Sequence, residues 1–315
     1  MIDPLVQAES MLIDTSSHLA AAVAARLPQN RPGRYNLTVL HNVAYGPDPA
    51  HRLDVWIPPG PGPHPIALYI HGGGFRVLSR KTHWMMAMSL ARMGLVVFNI
   101  DYCLAPMAPY PAAVQDTLRA WRWIHDHAEE YGGDRSRMVA AGDSAGANLC
   151  AALMLSTCWR REEPWAQATF DATEPPRQVL AAFGIFQVSA AAARYAQKPH
   201  PWLFRRRVSS IEADYLGEAH TTHREGWGDL ADPVVFLERQ SAPQRSLPSF
   251  FLPVGGRDPL QADTHRMAAA LSAVGGEATV SVYPGALHGF SALWWRPQSR
   301  ALWHDAAAFL RPTLA

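Results

Sequence analysis

The twelve-residue stretch VAAGDSAGANLC places Ser144 between two glycines, where an apolar run meets an alanine-rich run. Val139–Ala141 predicts a buried strand, and residues 145–156 predict a helix. Gly142 and Gly146 are small enough to let a strand and a helix meet closely while the side chain between them points outward. This G-x-S-x-G spacing is typical of a nucleophile elbow, although a serine between glycines also occurs in ordinary loops.

Strand-like and helix-like segments alternate along the rest of the chain. Such alternation predicts an α/β fold with a mostly parallel sheet that carries helices on both faces. The predicted strands cover residues 37–45, 51–57, 66–70, 95–100, 139–141, 179–188, 250–254 and 278–283. The predicted helices cover residues 5–27, 82–93, 111–127, 145–156, 261–274 and 298–311.

Residues 189–246 interrupt this alternation between two core strands and are rich in Arg, His, Trp and Pro. We therefore expect a catalytic core of residues 35–188 and 247–315, with an inserted cap at 189–246. The helix predicted within residues 1–34 has no obvious place in the core, so we assign this segment to the cap as well. Its apolar face comprises Leu12, Leu19, Val23 and Leu27.

Composition excludes several classes of partner and location. The net charge is +1 and the longest block of like charges is Arg205–Arg207, so no nucleic-acid partner is expected. The sequence has no run of 18 apolar residues and no basic, apolar leader, which predicts neither a membrane partner nor a signal peptide. Cys103, Cys150 and Cys158 provide no disulfide framework, and a cytoplasmic location is expected.

A serine hydroxyl becomes a useful nucleophile when a base takes its proton and an acid orients the base. In parallel sheets, reactive groups lie on loops beyond the carboxyl ends of strands. Asp258 follows the strand FFLPV and His288 follows the strand TVSVY, so with Ser144 they form a candidate catalytic triad in the order Ser, Asp, His. An Asp before Pro also starts ordinary turns, and Asp263 is a competitor that better suits the first turn of a helix.

A run of glycines in HGGGF directly follows the strand IALYI. When a serine attacks a carbonyl group, negative charge develops on the oxygen, and backbone N–H groups can be aimed at it in advance. Gly73 and Gly74, together with Ala145, are the favoured donors of this oxyanion hole, and Gly72 is a further candidate. A phosphate-binding loop is disfavoured, because neither a following Lys-Ser/Thr nor a G-x-G-x-x-G is present.

The segments HGGGF, DYCLAPMAPYPAAVQD, GDSAGANL, GGRDPL and LHGF occur in this order, and over roughly residues 35–311 the chain resembles the bacterial hormone-sensitive-lipase family of esterases. The resemblance implies an α/β-hydrolase core with an eight-stranded sheet, a helical cap and hydrolysis of carboxylic esters. It also implies that Ser144 is the nucleophile, His288 the base and Asp258 the orienting acid, with the HGGG and Ala145 amides as oxyanion donors. No metal or organic cofactor is expected.

The chain departs from the family pattern at three positions. The family usually has Y-R-L-A-P-E where this chain has YCLAPM, so Cys103 and Met107 replace an arginine and a glutamate. Asp116 thereby loses a candidate ion-pair partner, and the group that satisfies it is left open. Ala147 adds a methyl group where the family commonly has another glycine, and we expect it to affect packing alone.

The expected reaction is cleavage of soluble short- to medium-chain acyl esters through an acyl-enzyme intermediate. An amidase or aryl-formamidase is the alternative, because the same triad can cleave amides. A binding protein on an inactive hydrolase fold is disfavoured by the complete triad, and an interfacial lipase by the lack of a long amphipathic lid. The expected partner is a small-molecule ester, and a homodimer is left open. The pocket depends on the 189–246 segment, which contains Trp202, Phe204 and Trp227.

Overall fold

A computed structural model describes residues 4–196, 202–217, 226–239 and 241–314 of the 315-residue chain. Within these ranges, one sheet of eight strands forms the centre of the protein. Its strands are β1 (Thr38–Ala44), β2 (Arg52–Ile57), β3 (His64–Ile70), β4 (Val96–Ile100), β5 (Gly133–Asp143), β6 (Gln178–Ala182), β7 (Ser249–Gly255) and β8 (Ala278–Tyr283).

The strands lie in the order β1-β2-β4-β3-β5-β6-β7-β8. Strand β2 pairs antiparallel with β1 and β4, and all the other pairs are parallel. Parallel neighbours need a crossover connection, which explains why helices separate these strands in the sequence. The predicted α/β fold with a mostly parallel, eight-stranded sheet is confirmed, and the carboxyl ends of its parallel strands share one edge.

Ten α-helices accompany the sheet in the described ranges. They are α1 (Pro4–Arg26), α2 (Trp84–Ala91), α3 (Ala112–His127), α4 (Ala145–Cys158), α5 (Pro164–Ala172), α6 (Ala191–Ala196), α7 (Trp202–Leu216), α8 (Pro233–Glu238), α9 (Gln261–Ala273) and α10 (Pro297–Leu314). None of these helices is long and apolar enough to cross a membrane.

Two apolar cores cover the two faces of the sheet, as the side chains of β3 show. Ile66, Leu68 and Ile70 pack in the core that contains α3 and α4. Ala67 and Tyr69 lie in the core that contains α2 and α10. Successive side chains of a strand face opposite sides, so a strand buried on both faces is apolar throughout.

The strand predicted at 179–188 is shorter than expected. Strand β6 ends at Ala182, because Phe183 adopts a φ of 39° and its N–H donates to the Pro253 carbonyl group at 2.8 Å. The apolar residues that follow are buried in a loop, and burial in a loop gives the same apolar pattern as burial in a strand.

The predicted insert is more regular than its sequence indicates. The segment 189–246 contains α6, α7 and α8, and the sequence analysis also misses α5. Helices α5, α6 and α8 have nine residues or fewer, which is too short to show a helical period, and the longer α7 has charged residues among its apolar ones. Residues 1–3 of the predicted N-terminal cap segment, and residues 197–201, 218–225 and 240 of the predicted insert, lie outside the described residues.

Helix α1 does not pack on the core through its predicted apolar face. Three of the four side chains of this face are exposed to solvent, namely Leu12, Leu19 and Val23. Polar contacts instead attach the helix to the loop after β3: Asp14 accepts the Leu78 N–H at 2.8 Å, and His18 bonds the Ser79 hydroxyl at 3.0 Å. The helix therefore turns its smaller side chains inward and leaves its larger apolar side chains in solvent.

Gly146 is the elbow position with the least room. A Cβ atom there would lie 2.0 Å from the carbonyl oxygen of Ile70, so β3 and α4 would have to move apart. We expect Gly146→Ala to lower the free energy of unfolding by about 3 kcal/mol, the upper end of the usual cost of overpacking. Gly33→Ala is the control, since a Cβ atom there has no neighbour within 4 Å. Urea denaturation compares the two variants, and equal stability would contradict the close approach.

Candidate active site

Ser144 lies at the sharp junction between β5 and α4. Its backbone has φ 53° and ψ −111°, a conformation that non-glycine residues rarely adopt. The Ser144 N–H donates to the Ala182 carbonyl group at 2.9 Å, and the Ile185 N–H donates to the Ser144 carbonyl group at 3.4 Å. The last residue of β6 and the loop after it thus hold the strained backbone on both sides of the serine, whose hydroxyl faces a cavity.

The structure brings Ser144, His288 and Asp258 together. The Ser144 hydroxyl donates to Nε2 of His288 at 3.0 Å, and Nδ1–H of His288 donates to Oδ2 of Asp258 at 2.9 Å. The other oxygen of Asp258 accepts the Leu260 N–H at 2.8 Å. These distances allow a base to take the serine proton while an acid holds the base.

The topology of the sheet explains why residues so far apart in sequence meet. Ser144 follows β5, Asp258 lies just beyond β7, and His288 lies just beyond β8. These strands run parallel through β6, so their carboxyl ends point to one edge of the sheet. Loops beyond that edge carry all three groups, as the sequence order predicts.

The Asp258 carboxylate sets the charge properties of His288. Burial alone would lower the pKa of the imidazole, but the charge and hydrogen bond of Asp258 outweigh burial and raise this pKa above its usual value of 6.5. The Asp258 side chain has no exposed surface, whereas 37% of the His288 side chain is exposed. An acid fixed on one ring nitrogen leaves the other nitrogen available for the serine proton.

The backbone N–H groups of the glycine loop differ in their hydrogen bonding. The Gly72 N–H donates to Oδ1 of Asp143 at 3.2 Å. Among the described residues, the N–H groups of Gly73, Gly74 and Ala145 have no hydrogen-bond partner. Gly73 and Gly74 line the same cavity as the nucleophile and have φ values of 112° and 60°, which favour glycine. The three N–H groups are therefore available to a bound oxyanion, and that of Gly72 is engaged.

Asp143 and His83 are functional candidates that the sequence analysis misses. Oδ1 of Asp143 accepts the Tyr69 hydroxyl at 2.8 Å, and Nε2 of His83 lies 3.5 Å from the same oxygen. Both side chains are buried, and both residues line the cavity beside the nucleophile. The position of Asp143 within GDSAG is a local signal, whereas His83 gives none because its partner is distant in sequence.

One cavity of about 550 Å³ opens on Ser144 and His288. Helix α1 contributes small side chains to its wall, namely Ser10, Ser17, Ala20, Ala21 and Ala24. Of the aromatic residues predicted to shape the pocket, Phe204 lines it and Trp202 and Trp227 do not. Helices outside the core strands therefore form much of the boundary of this cavity.

Ion pairs fix these helices above the sheet. Arg76, in the loop after β3, pairs with Asp214 of α7 at 2.7 Å and also donates to Ser10 of α1. Arg207 of α7 pairs with Glu9 of α1. One loop that begins with the glycine run thus holds both helices against the cavity.

Asp263, the competing acid, has a different partner. It lies in the first turn of α9, as predicted, and is 1% exposed. Its carboxylate pairs with Arg194 of α6, whereas Asp258 is the acid that bonds His288. The structure therefore favours Asp258 as the orienting acid.

Asp116 is hydrogen-bonded to other groups in place of the arginine that the family usually has at position 103. Nε2–H of His51 donates to one oxygen of Asp116 at 2.7 Å, and the Cys103 N–H donates to the other at 2.8 Å. Of the other two departures from the pattern, Met107 is exposed and Ala147 is fully buried in α4. The change at position 103 is thus accommodated within a hydrogen-bonded cluster.

The same cluster is the one candidate metal site among the described residues. Ligand atoms of His51, Cys103 and Asp116 lie within 4.8 Å of one another. However, Nδ1 of His51 accepts the Asp48 N–H at 3.1 Å, so the ring proton lies on Nε2, the nitrogen that a metal would need. Burial and the neighbouring Asp116 raise the pKa of the Cys103 thiol to about 12, which also opposes metal binding.

The pKa of His288 predicts how serine labelling depends on pH. A fluorophosphonate should modify Ser144 only when His288 is neutral, so labelling slows as the pH falls through the raised pKa, with a midpoint above 6.5. Asp258→Asn removes the charge that raises this pKa and holds the ring in the wrong tautomer, so the midpoint falls and the rate drops roughly 10⁴-fold. Intact-mass spectrometry follows the labelling.

Asp263→Asn is the matched control for this experiment. It leaves Arg194 without its carboxylate, so we expect a lower melting temperature with an unchanged labelling rate. Slower labelling in Asp263→Asn than in Asp258→Asn would contradict the assignment of the acid.

Comparisons with known proteins agree with this geometry. The family model described as the alpha/beta hydrolase fold matches residues 67–292. Carboxylesterase NlhH of Mycobacterium tuberculosis is 30% identical over 231 residues, which are 72% of this chain and 66% of that protein. Hormone-sensitive lipase of Mus musculus is 30% identical over 234 residues, which are 70% of this chain and 29% of that protein. The solved structure of a bacterial heroin esterase superposes with a TM-score of 0.77 at 24% identity, covers 100% of this chain and 98% of that one, and shows a common fold.

The matched segment runs from β3 through the loop that carries His288, so it contains the glycine loop, Ser144, Asp258 and His288. The alignments with the two relatives cover just under two thirds of NlhH and under a third of the mouse protein. With more than half of its length in the family match, the chain belongs to the α/β-hydrolase-fold family, in the branch that includes hormone-sensitive lipase.

Proposed function

We propose that the protein is a serine carboxylesterase that hydrolyses soluble esters with short- to medium-chain acyl groups. The observation that carries the proposal is the pair of hydrogen bonds joining Ser144, His288 and Asp258, at 3.0 and 2.9 Å. The relatives NlhH and hormone-sensitive lipase are named as ester-cleaving enzymes, which supports the same reaction class.

In this mechanism His288 takes the proton of Ser144 as its oxygen attacks the ester carbonyl carbon. The tetrahedral intermediate collapses, the alcohol leaves with the proton from His288, and an acyl-enzyme forms on Ser144. Water then attacks the acyl group while His288 again acts as the base, and the acid is released. Asp258 keeps its charge throughout and stabilises the imidazolium that forms twice in each cycle.

The negative charge of each tetrahedral intermediate needs donors that are already in place. We assign this task to the N–H groups of Gly73, Gly74 and Ala145, because these groups have no other partner among the described residues. Gly72 belongs to the same loop but donates to Asp143, so its contribution is to hold the loop.

Substrate size follows from the cavity and its walls. A volume of about 550 Å³ falls within the range of about 300–1,000 Å³ that is usual for small-molecule sites. We assign α1 (in the segment 1–34) and α6 and α7 (in the segment 189–246) to a cap over the site. Helix α8 packs against α4 and α9 instead. This cap limits the length of the acyl chain that the cavity can hold. The apolar side chains of α1 that face solvent do not line the cavity and do not affect this limit.

The expected location is the cytoplasm. All three cysteines are free thiols, and Cys150 and Cys158 are buried. Free thiols suit a reducing compartment.

Removal of the nucleophile tests the function itself. Ser144→Ala should lower kcat for p-nitrophenyl acetate by roughly 10⁶-fold, since the triad acts as a unit. Hydrolysis of the matching anilide by the wild-type protein should be slower than that of the ester. Appreciable ester cleavage by folded Ser144→Ala would exclude the proposed nucleophile, and faster cleavage of the anilide would identify an amidase.

A series of p-nitrophenyl esters from acetate to palmitate tests the size limit. Each added CH₂ contributes about 0.8 kcal/mol while it still finds apolar surface in the cavity. Beyond the limit, packed side chains must move at a cost of about 1–3 kcal/mol. We expect kcat/KM to be highest for acyl groups of about two to eight carbons. In Ala20→Leu the maximum should move to a shorter chain, because Ala20 lines the cavity. A maximum at palmitate would contradict the limit.

A further inference from the structure

A second buried histidine–aspartate pair lies next to the nucleophile. Nε2 of His83 is 3.5 Å from Oδ1 of Asp143, and both residues are less than one-tenth exposed. This pair is separate from the triad, since His288 bonds Asp258. Its aspartate directly precedes Ser144, which connects the pair to the catalytic elbow.

The hydrogen bonds on the far side of the ring assign its protons. The Thr82 hydroxyl donates to the Ser79 carbonyl group at 2.7 Å, and the Ser79 N–H donates to the Thr82 oxygen at 3.1 Å. With its proton committed, the Thr82 hydroxyl can only accept from Nδ1 of His83, which lies 2.9 Å away. Nδ1 also lies 3.3 Å from the Ser79 carbonyl oxygen, which can only accept, so both contacts place a proton on Nδ1. A neutral ring would then direct the lone pair of Nε2 at the Asp143 carboxylate 3.5 Å away, so these contacts favour a proton on both nitrogens.

The charged groups around the ring support this assignment. Burial opposes charge on His83, but the charge and hydrogen bond of Asp143 outweigh burial and raise the pKa of the ring, with a smaller contribution from Asp101. Asp101 is itself paired with Arg80.

Two further titratable side chains adjoin the His83 ring. Tyr69 lies with its ring centroid 6.3 Å from that of His83 and donates its hydroxyl proton to Asp143. The pKa of His71 is lowered to about 4 by burial and by the charge of His83. The two shifts oppose each other, because charge on His83 disfavours charge on His71.

Asp143 and His71 together hold the backbone of Gly72 through its N–H and its carbonyl group. Asp143 accepts the Gly72 N–H at 3.2 Å, and Nδ1–H of His71 donates to the Gly72 carbonyl group at 2.7 Å. The His71 ring in turn stacks on Tyr102 with centroids 4.3 Å apart. A Cβ atom at position 72 would lie 2.6 Å from Oδ2 of Asp143, so the carboxylate lies directly against the loop. The loop is thus fixed by the residue immediately before the two favoured oxyanion donors.

We propose that His83 is a positioning residue in its imidazolium form, and that its ion pair with Asp143 holds the glycine loop so that Gly73 and Gly74 can donate to the oxyanion. The proposal rests on the esterase function proposed above. Without the imidazolium, Asp143 would be a buried charge lacking its counter-ion, and it would move or take up a proton. Either change loosens the contact with Gly72 and misdirects the donors that follow it.

His51 offers a matched control in the same chain. It is equally buried and bonds an aspartate, Asp116, at 2.7 Å. Its other nitrogen accepts the Asp48 N–H, so a neutral ring satisfies both contacts. The pairs His83–Asp143 and His51–Asp116 are therefore alike in residue types and in burial. They differ in the charge expected on the ring and in their distance from Ser144.

The first measurement is nitrogen NMR of the histidine rings in the wild-type protein at pH 8, with resonances assigned through the backbone. We expect His83 to show two protonated ring nitrogens and His51 to show one. A neutral His83 ring would overturn the proposal whether or not the protein cleaves esters, so this result is independent of the proposed function.

The second measurement compares His83→Gln with His51→Gln, after wild-type turnover of p-nitrophenyl acetate and its loss in Ser144→Ala have been established. Glutamine keeps a donor for Asp143 but carries no charge. We expect kcat/KM of His83→Gln to fall about 10–100-fold. The upper end of this range equals the smallest loss of rate that is usual when one oxyanion donor is removed. The affinity for a trifluoromethyl ketone, which forms an oxyanion on the serine, should fall by the same factor with KM within about twofold.

In His51→Gln, both kcat/KM and inhibitor affinity should stay within about twofold of the wild type. Wild-type kinetics in His83→Gln, or equal losses in the two variants, would overturn the positioning role. If wild-type protein fails to cleave the ester, the proposed function fails instead, and the NMR result still decides the charge of His83.

Discussion

The strained backbone at Ser144 is the constraint on which the rest of the site depends. A φ of 53° with ψ −111° at a serine is tolerated only where surrounding structure over-determines it. Here the N–H and carbonyl groups of the serine are both bonded to the segment that ends β6, and Gly146 lets α4 start against β3. The order of the central strands β3, β5 and β6 therefore determines where the nucleophile stands.

Buried carboxylates give this edge of the sheet its chemical character. Asp258 bonds His288, and Asp143 bonds the glycine loop on the other side of the serine. Each is accompanied by a histidine, which keeps the buried charges in pairs. The two pairs have different tasks, because His288 must gain and lose a proton while His83 is best kept charged.

Local sequence was sufficient to predict the parts of the protein that follow from strand order. The central parallel strands could be predicted because they are buried and apolar throughout, and the outer strands because their residues alternate. That Ser144, Asp258 and His288 meet could be predicted because each follows a strand whose carboxyl end lies at the same edge. The pairing of Asp143 with His83 could not, since a histidine after a glycine loop has no pattern that names its partner. Nor could the orientation of α1, because the hydrogen bonds that Asp14 accepts from Leu78 and that His18 makes with Ser79 decide it against the hydrophobic pattern.

The central claim is that Gly72 anchors the loop while Gly73, Gly74 and Ala145 stabilise the oxyanion formed at Ser144. A crystal structure of the protein reacted with a short-chain alkyl phosphonate tests it most directly, because the phosphonyl oxygen occupies the position of the oxyanion. We predict that this oxygen lies about 2.7–3.1 Å from the three backbone nitrogens, with the Gly72 N–H still bonded to Asp143. A phosphonyl oxygen bonded to the Gly72 N–H, or an adduct on a residue other than Ser144, would contradict the account.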